Sequence, residues 1–149
     1  MSLRVQNRQR AVRFDVQWLC RFAPFAFEKC RAISDDGRFA LRQIPEINVV
    51  VVSDRRIAQL HQDFMGIAGA TDVITFEHGD IVISAETARF NALNCGQAVE
   101  AELALYTVHG LLHLNGFEDS APKPAARMRK VQSRVLQECL AQLPMPKTP

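Results

Sequence analysis

Apolar and polar positions divide the chain into short segments of different period. Near the start, "LRVQNRQR" (Leu3 to Arg10) alternates loosely, as an edge strand would with one face wet. "DVQWLCRFAPFAFEKCRAI" (Asp15 to Ile33) has helical apolar spacing, with Pro24 predicted to break or kink the helix. "EINVVVVS" (Glu46 to Ser53) is a β-branched run suited to a buried strand, and Asp54 is the expected cap of a helix reaching about Phe64. "TDVITF" (Thr71 to Phe76) and "GDIVIS" (Gly79 to Ser84) are β-rich runs separated only by Glu77 and His78, the spacing of a hairpin. Ser84, with Glu86 in the first turn, starts a helix that stops near Asn94 to Gly96.

Two longer helices follow. From Ala98 to Leu114 nearly every side is apolar (Leu103, Leu105, Val108, Leu111, Leu112 and Leu114), which predicts a helix buried in its domain and closed by the left-handed stop Asn115-Gly116. From Lys123 to Leu143 the pattern is amphipathic. Met128, Val131, Val135 and Cys139 share one face, Lys123, Arg127, Lys130 and Arg134 another, and Pro144 and Pro146 end it. Strands and helices mix without a strict βαβ rhythm, so the expected fold is α+β, a small mixed sheet packed against helices. With no repeat and no linker, the 149 residues are expected to form a single domain.

The buried helix carries the candidate chemistry. His109 and His113 stand four residues apart and project from one face, a turn apart, where two ring nitrogens can converge on one ion. Gly116 permits a sharp reversal, and Asp119 lies three residues beyond it. The pattern H-x-x-x-H-x-x-G-x-x-D therefore predicts a metal site at the end of a buried helix, zincin-like, with His109, His113 and Asp119 as ligands and one position open for water. In zincin peptidases a glutamate after the first histidine is the general base; here that position is Gly110, which disfavours a peptidase. The alternative use of the two histidines is as hydrogen-bonded core residues.

Composition narrows the setting. Apolar residues make up 48% and charged residues 23%, ordinary for a soluble globular protein. No run has the roughly 18 apolar residues of a membrane span, and "MSLRVQNRQR" has no apolar signal region, so a cytoplasmic protein is expected. Cys20, Cys30, Cys95 and Cys139 form no C-x-x-C pair and are expected to be small buried hydrophobes. The net charge is only +2, but Arg4, Arg8, Arg10 and Arg13 cluster without acids, as do Lys123, Arg127, Arg129, Lys130 and Arg134. Such patches point to a polyanion or form a solvated face.

"HGLLHLNGFED" resembles the YbeY-family signature H-G-x-L-H-L-x-G-Y-D-H at His109, Gly110, Leu112, His113, Leu114 and Gly116, with Phe117 as the aromatic residue. "TDVITFEHGDIVIS" resembles the family's "TDVLSF…GDIVIS" hairpin. The resemblance implies a zinc-dependent, single-strand-specific endoribonuclease of rRNA maturation and ribosome quality control. It would carry one Zn²⁺ per chain and have rRNA, a ribosomal subunit and a ribosomal protein as partners. On that reading Lys123, Arg127, Lys130 and Arg134 would guide the RNA backbone. Two positions differ from the family pattern. Asp119 stands where the third ligand is a histidine, and Met65 in "FMG" stands where an arginine meets phosphate. Both changes leave a second reading open, a non-catalytic ribosome-assembly factor with a structural metal.

Overall fold

The computed structural model describes residues 2–34 and 36–147. Its elements run β1 (Ser2–Asn7), α1 (Val16–Arg31), a 3₁₀ turn (Ala40–Gln43), β2 (Glu46–Val52), α2 (Asp54–Met65), β3 (Val73–Thr75), β4 (Asp80–Ser84), α3 (Ala85–Asn94), α4 (Val99–Leu114) and α5 (Pro122–Gln142). The four strands form one sheet in the order β1-β2-β4-β3, with β1, β2 and β4 parallel and β3 antiparallel to β4. This is the expected α+β arrangement of a mixed sheet and helices. No helix among the described residues is long and apolar enough to cross a membrane.

The period of β2 explains how the sheet is covered. Ile47, Val49 and Val51 are fully buried on one face, together with Ile81 and Ile83 of β4. That face packs into the main core with Trp18, Phe22, Leu103, Leu111 and Leu112 from α1 and α4. The other face carries a smaller cluster of Val52, Ile57, Ile74 and Val82, with Val50, Leu60 and Phe76 only partly buried. A single helix, α2, covers it.

Three local expectations are corrected. Pro24 lies inside α1, which continues without a break from Val16 to Arg31. The amide it removes would have bonded the Cys20 carbonyl; Pro24 and Cys20 both lie on the exposed side, where water can serve that carbonyl. The buried stripe Trp18, Leu19, Phe22, Ala26 and Cys30 holds the opposite side in place. The cap of α2 is Ser53, whose Oγ accepts the Arg56 amide. Asp54, the expected cap, instead accepts the hydroxyls of Ser84 and Thr87 and ties α2 to the start of α3. Of the cysteines, Cys30 and Cys139 are buried as expected, but Cys20 and Cys95 are exposed.

Candidate metal centre

Helix α4 is fixed on two sides at once. Its glycine, Gly110, faces the sheet so closely that a Cβ there would stand 2.5 Å from Ile81 Cγ2. The zincin glutamate position therefore points into the core, which removes the general base of a peptidase for a packing reason. At its C-terminus, Gly116 takes φ +100°, and the Phe117 amide returns to the Leu112 carbonyl, a left-handed helix stop. Asn115, buried, accepts the Leu41 amide and donates to the Cys30 and Ile33 carbonyls, anchoring this end to α1 and the 3₁₀ turn.

On the other side of α4 the predicted residues converge. His109 Nε2 and His113 Nε2 are 3.0 Å apart, and Asp119 Oδ2 lies 3.5 and 3.4 Å from them respectively. Bonds of about 2.0–2.1 Å to a tetrahedral ion place ligand atoms about 3.3–3.4 Å from one another. The three atoms thus stand close to three corners of such a site, and the group could hold a metal ion.

Hydrogen bonds behind the rings aim them. His113 Nδ1 donates to the Phe117 carbonyl at 3.0 Å and His109 Nδ1 donates to Gln132 Oε1 at 2.8 Å. With both Nδ1 atoms donating, both Nε2 lone pairs turn toward the same point, the arrangement that metal-binding histidines require. Burial, and secondly His109, hold the His113 pKa below its usual value, with Asp119 opposing them. The ring is therefore kept neutral and available as a ligand.

The triad opens into a cavity of about 340 Å³, walled also by Met65, Asp72, Val73, Ile74 and Thr75. None of these lining residues is Lys or Arg. Asp72 Oδ1 accepts the Val73 amide at 2.8 Å and the Thr71 hydroxyl at 3.3 Å. Glu118 lines a neighbouring depression with Glu77 and His113 instead. Lys123, Arg127, Lys130 and Arg134 are exposed on α5. At about 100° per residue they lie on the side of α5 opposite Gln132, away from the triad. Sequence reading missed Gln132, although a signal existed: it is a polar residue four after Met128 and three before Val135 on the inward stripe. It also missed Asp72, which reads simply as part of a strand.

A family model described as "Endoribonuclease YbeY" matches residues 5–140. Among curated proteins of that name, the one from Nocardia farcinica is 34% identical over 121 residues, covering 68% of this chain and 66% of its own. That from Anaeromyxobacter is 39% identical over 100 residues, covering 60% and 52%. The one from Renibacterium salmoninarum is 31% identical over 153 residues, covering 91% of both. The chain thus spans between half and two thirds of the first two relatives and nearly all of the third. The solution structure of a Thermotoga maritima protein superposes with a TM-score of 0.65 at 26% identity, covering 95% of this chain and 91% of that one.

Proposed function

Because the chain belongs to the YbeY endoribonuclease family, we propose that it is a metal-dependent, single-strand-specific endoribonuclease of rRNA maturation and ribosome quality control. On this reading it acts in the cytoplasm, with rRNA in a ribosomal subunit as substrate and a ribosomal protein as partner. The observation that carries the reading is the donor triangle of His109 Nε2, His113 Nε2 and Asp119 Oδ2, aimed by Gln132 and the Phe117 carbonyl into an open cavity.

Zn²⁺, one per chain, is the proposed ion, and when bound it supplies Lewis-acid activation of water and of a phosphoryl oxygen. The chain's residues do the rest. His109 and His113 bind as neutral imidazoles, and Asp119 adds a negative charge that lowers the net charge of the site. Asp72, with Oδ1 held by the Val73 amide and the Thr71 hydroxyl, is the lining carboxylate outside the triad and the candidate general base. Val73, Ile74 and Met65 form an apolar wall that limits water on that side.

The test has two arms. Purified protein should carry close to one zinc per chain, and His113→Ala should stay folded yet lose cleavage of a single-stranded rRNA fragment. Wild type that binds no zinc on add-back would remove the metal claim. The cavity wall without Lys or Arg favours the second reading, a non-catalytic assembly factor with a structural metal. That reading wins if the zinc-loaded wild type cleaves no RNA with any divalent ion supplied.

A further inference from the structure

The outer face of the sheet holds a second concavity, of about 510 Å³, floored by Val50, Val52, Leu60 and Val82. Three rings stand at its edge. Phe64, 67% exposed, meets Phe76 edge-on with centroids 5.2 Å apart, and Phe76 stacks on His78 at 5.7 Å. Two guanidinium groups, Arg8 and Arg56, line the same space. Their hydrogen-bonding partners are neutral amides, Gln6 Oε1 and Gln59 Oε1, each at 2.9 Å. Among the described residues neither arginine pairs with a carboxylate. The lining acid, Asp80, is already engaged by His78 at 2.8 Å and by Asn48 at 3.1 Å.

We propose that this concavity is a subsite for unpaired RNA nucleotides, with a base stacked on the Phe64–Phe76–His78 ring ladder and phosphate oxygens held by Arg8 and Arg56. The proposal rests on the ribonuclease reading and deepens it by saying where the substrate strand is held. The chemistry is complementary throughout. The exposed Phe64 and His78 rings can take planar bases without regard to sequence, and guanidinium groups with no carboxylate partner can take phosphate in forked geometry. A base in a duplex is already stacked and cannot enter, so the ladder selects single strands. An acidic peptide would meet the charge but would leave the rings unmatched.

Position supports the assignment. Phe64 and Met65 are consecutive residues at the end of α2; Phe64 borders this concavity and Met65 borders the metal cavity. A strand crossing the sheet edge at β3 passes from one to the other. The metal cavity has no Lys or Arg in its lining and the α5 stripe faces away, so side-chain cations that would hold the strand lie elsewhere. Arg8 and Arg56 provide two such cations here.

The test is fluorescence anisotropy on the full zinc-loaded chain with a labelled oligodeoxyuridylate of about eight nucleotides, a length one such surface can span. Being DNA, the probe is not a ribonuclease substrate. Phe64 is exposed, so Phe64→Ala keeps the fold and should weaken binding by about 5- to 150-fold, while Phe64→Trp restores it. Arg8→Gln with Arg56→Gln should lower affinity and flatten its salt dependence, by about 0.7 in log–log slope for each phosphate no longer neutralised. Zinc content should not change in any variant. Wild-type affinity in Phe64→Ala overturns the subsite; retained RNA cleavage by the same preparation would leave the ribonuclease reading standing. A glutamate-rich peptide bound by wild type and lost in Phe64→Ala, with oligonucleotide binding unaffected, assigns the groove to protein and also overturns the proposal. Wild type that neither binds the oligonucleotide nor cuts RNA ends both.

Discussion

One methyl group added at Gly110 should disturb both the fold and the metal centre. The Cβ of Gly110→Ala would lie 2.5 Å from Ile81 Cγ2 and 3.3 Å from its Cδ1 and Cγ1. Carbon atoms rest at about 3.5–4.0 Å, so roughly 1 Å must be found. Ile81 is 0% exposed within the core, so any retreat must be taken up by its buried neighbours. Overpacking of this kind costs about 1–3 kcal/mol, partly offset by the gain of about 1 kcal/mol when alanine replaces glycine in a helix. A net loss of up to about 2 kcal/mol lowers Tm by up to roughly 8 °C in a chain of this size. The alternative relief is for α4 to move away from the sheet, which carries His109 and His113 with it and opens the triangle of 3.0–3.5 Å edges. Thermal denaturation of the metal-free protein reads the first effect, and competition with a chromophoric chelator reads the second. On an Ile81→Ala background the added methyl should be far less harmful, since contacting residues couple by about 0.5–3 kcal/mol. If Gly110→Ala raises Tm equally in both backgrounds, the contact does not position α4 and the reasoning fails.

Three further outcomes are expected. Gln132→Leu should reduce zinc affinity by about 10- to 100-fold with little change in Tm, since it removes the acceptor that orients His109; unchanged affinity would show that packing alone aims the ring. Asp119→His replaces a carboxylate by a neutral ligand and should sharpen the preference for zinc over manganese in metal competition; identical selectivity would mean that Asp119 does not bind the ion. The lowered His113 pKa also has a sign. The folded chain binds this proton less readily than the unfolded chain, so the stabilisation is complete above about pH 6.5 and is lost as pH falls through the lowered folded value. Urea midpoints of the metal-free protein near pH 7.5 and 5.5 should therefore differ more in wild type than in His113→Gln, and equal differences would refute the assignment.

Local patterns in the chain were a good guide wherever one interaction dominates. The β-branched run of β2, the hairpin around Glu77-His78 and the apolar α4 each lie where their period places them. The triad was legible because helical spacing and one glycine bring it together over eleven residues of sequence. What could not be read depends on residues distant in the chain. Pro24 survives in α1 because tertiary packing of the Trp18–Cys30 stripe outweighs a local defect. Ser53 and Asp54 compete for one cap, and the hydroxyls of Ser84 and Thr87 draw Asp54 away. Gln132 acquires its role only when α5 docks on α4. The Phe64–Phe76–His78 ladder joins a helix end to a hairpin and has no period at all.

Asn115 bears on the order in which the molecule is made. Its side chain is satisfied by Leu41, Cys30 and Ile33, between 74 and 85 residues earlier in the chain. During synthesis those partners leave the ribosome first and have no acceptor or donor to meet until the helix that carries both histidines has followed them. The turn that follows His113 gains these bonds only when α1 and the 3₁₀ turn dock against it, and Gln132 arrives later still. Were the triad to hold a metal ion, its capture would follow the docking of these segments, and a nascent chain ending before Asp119 and Gln132 would expose the two histidines without the third donor or the acceptor behind His109.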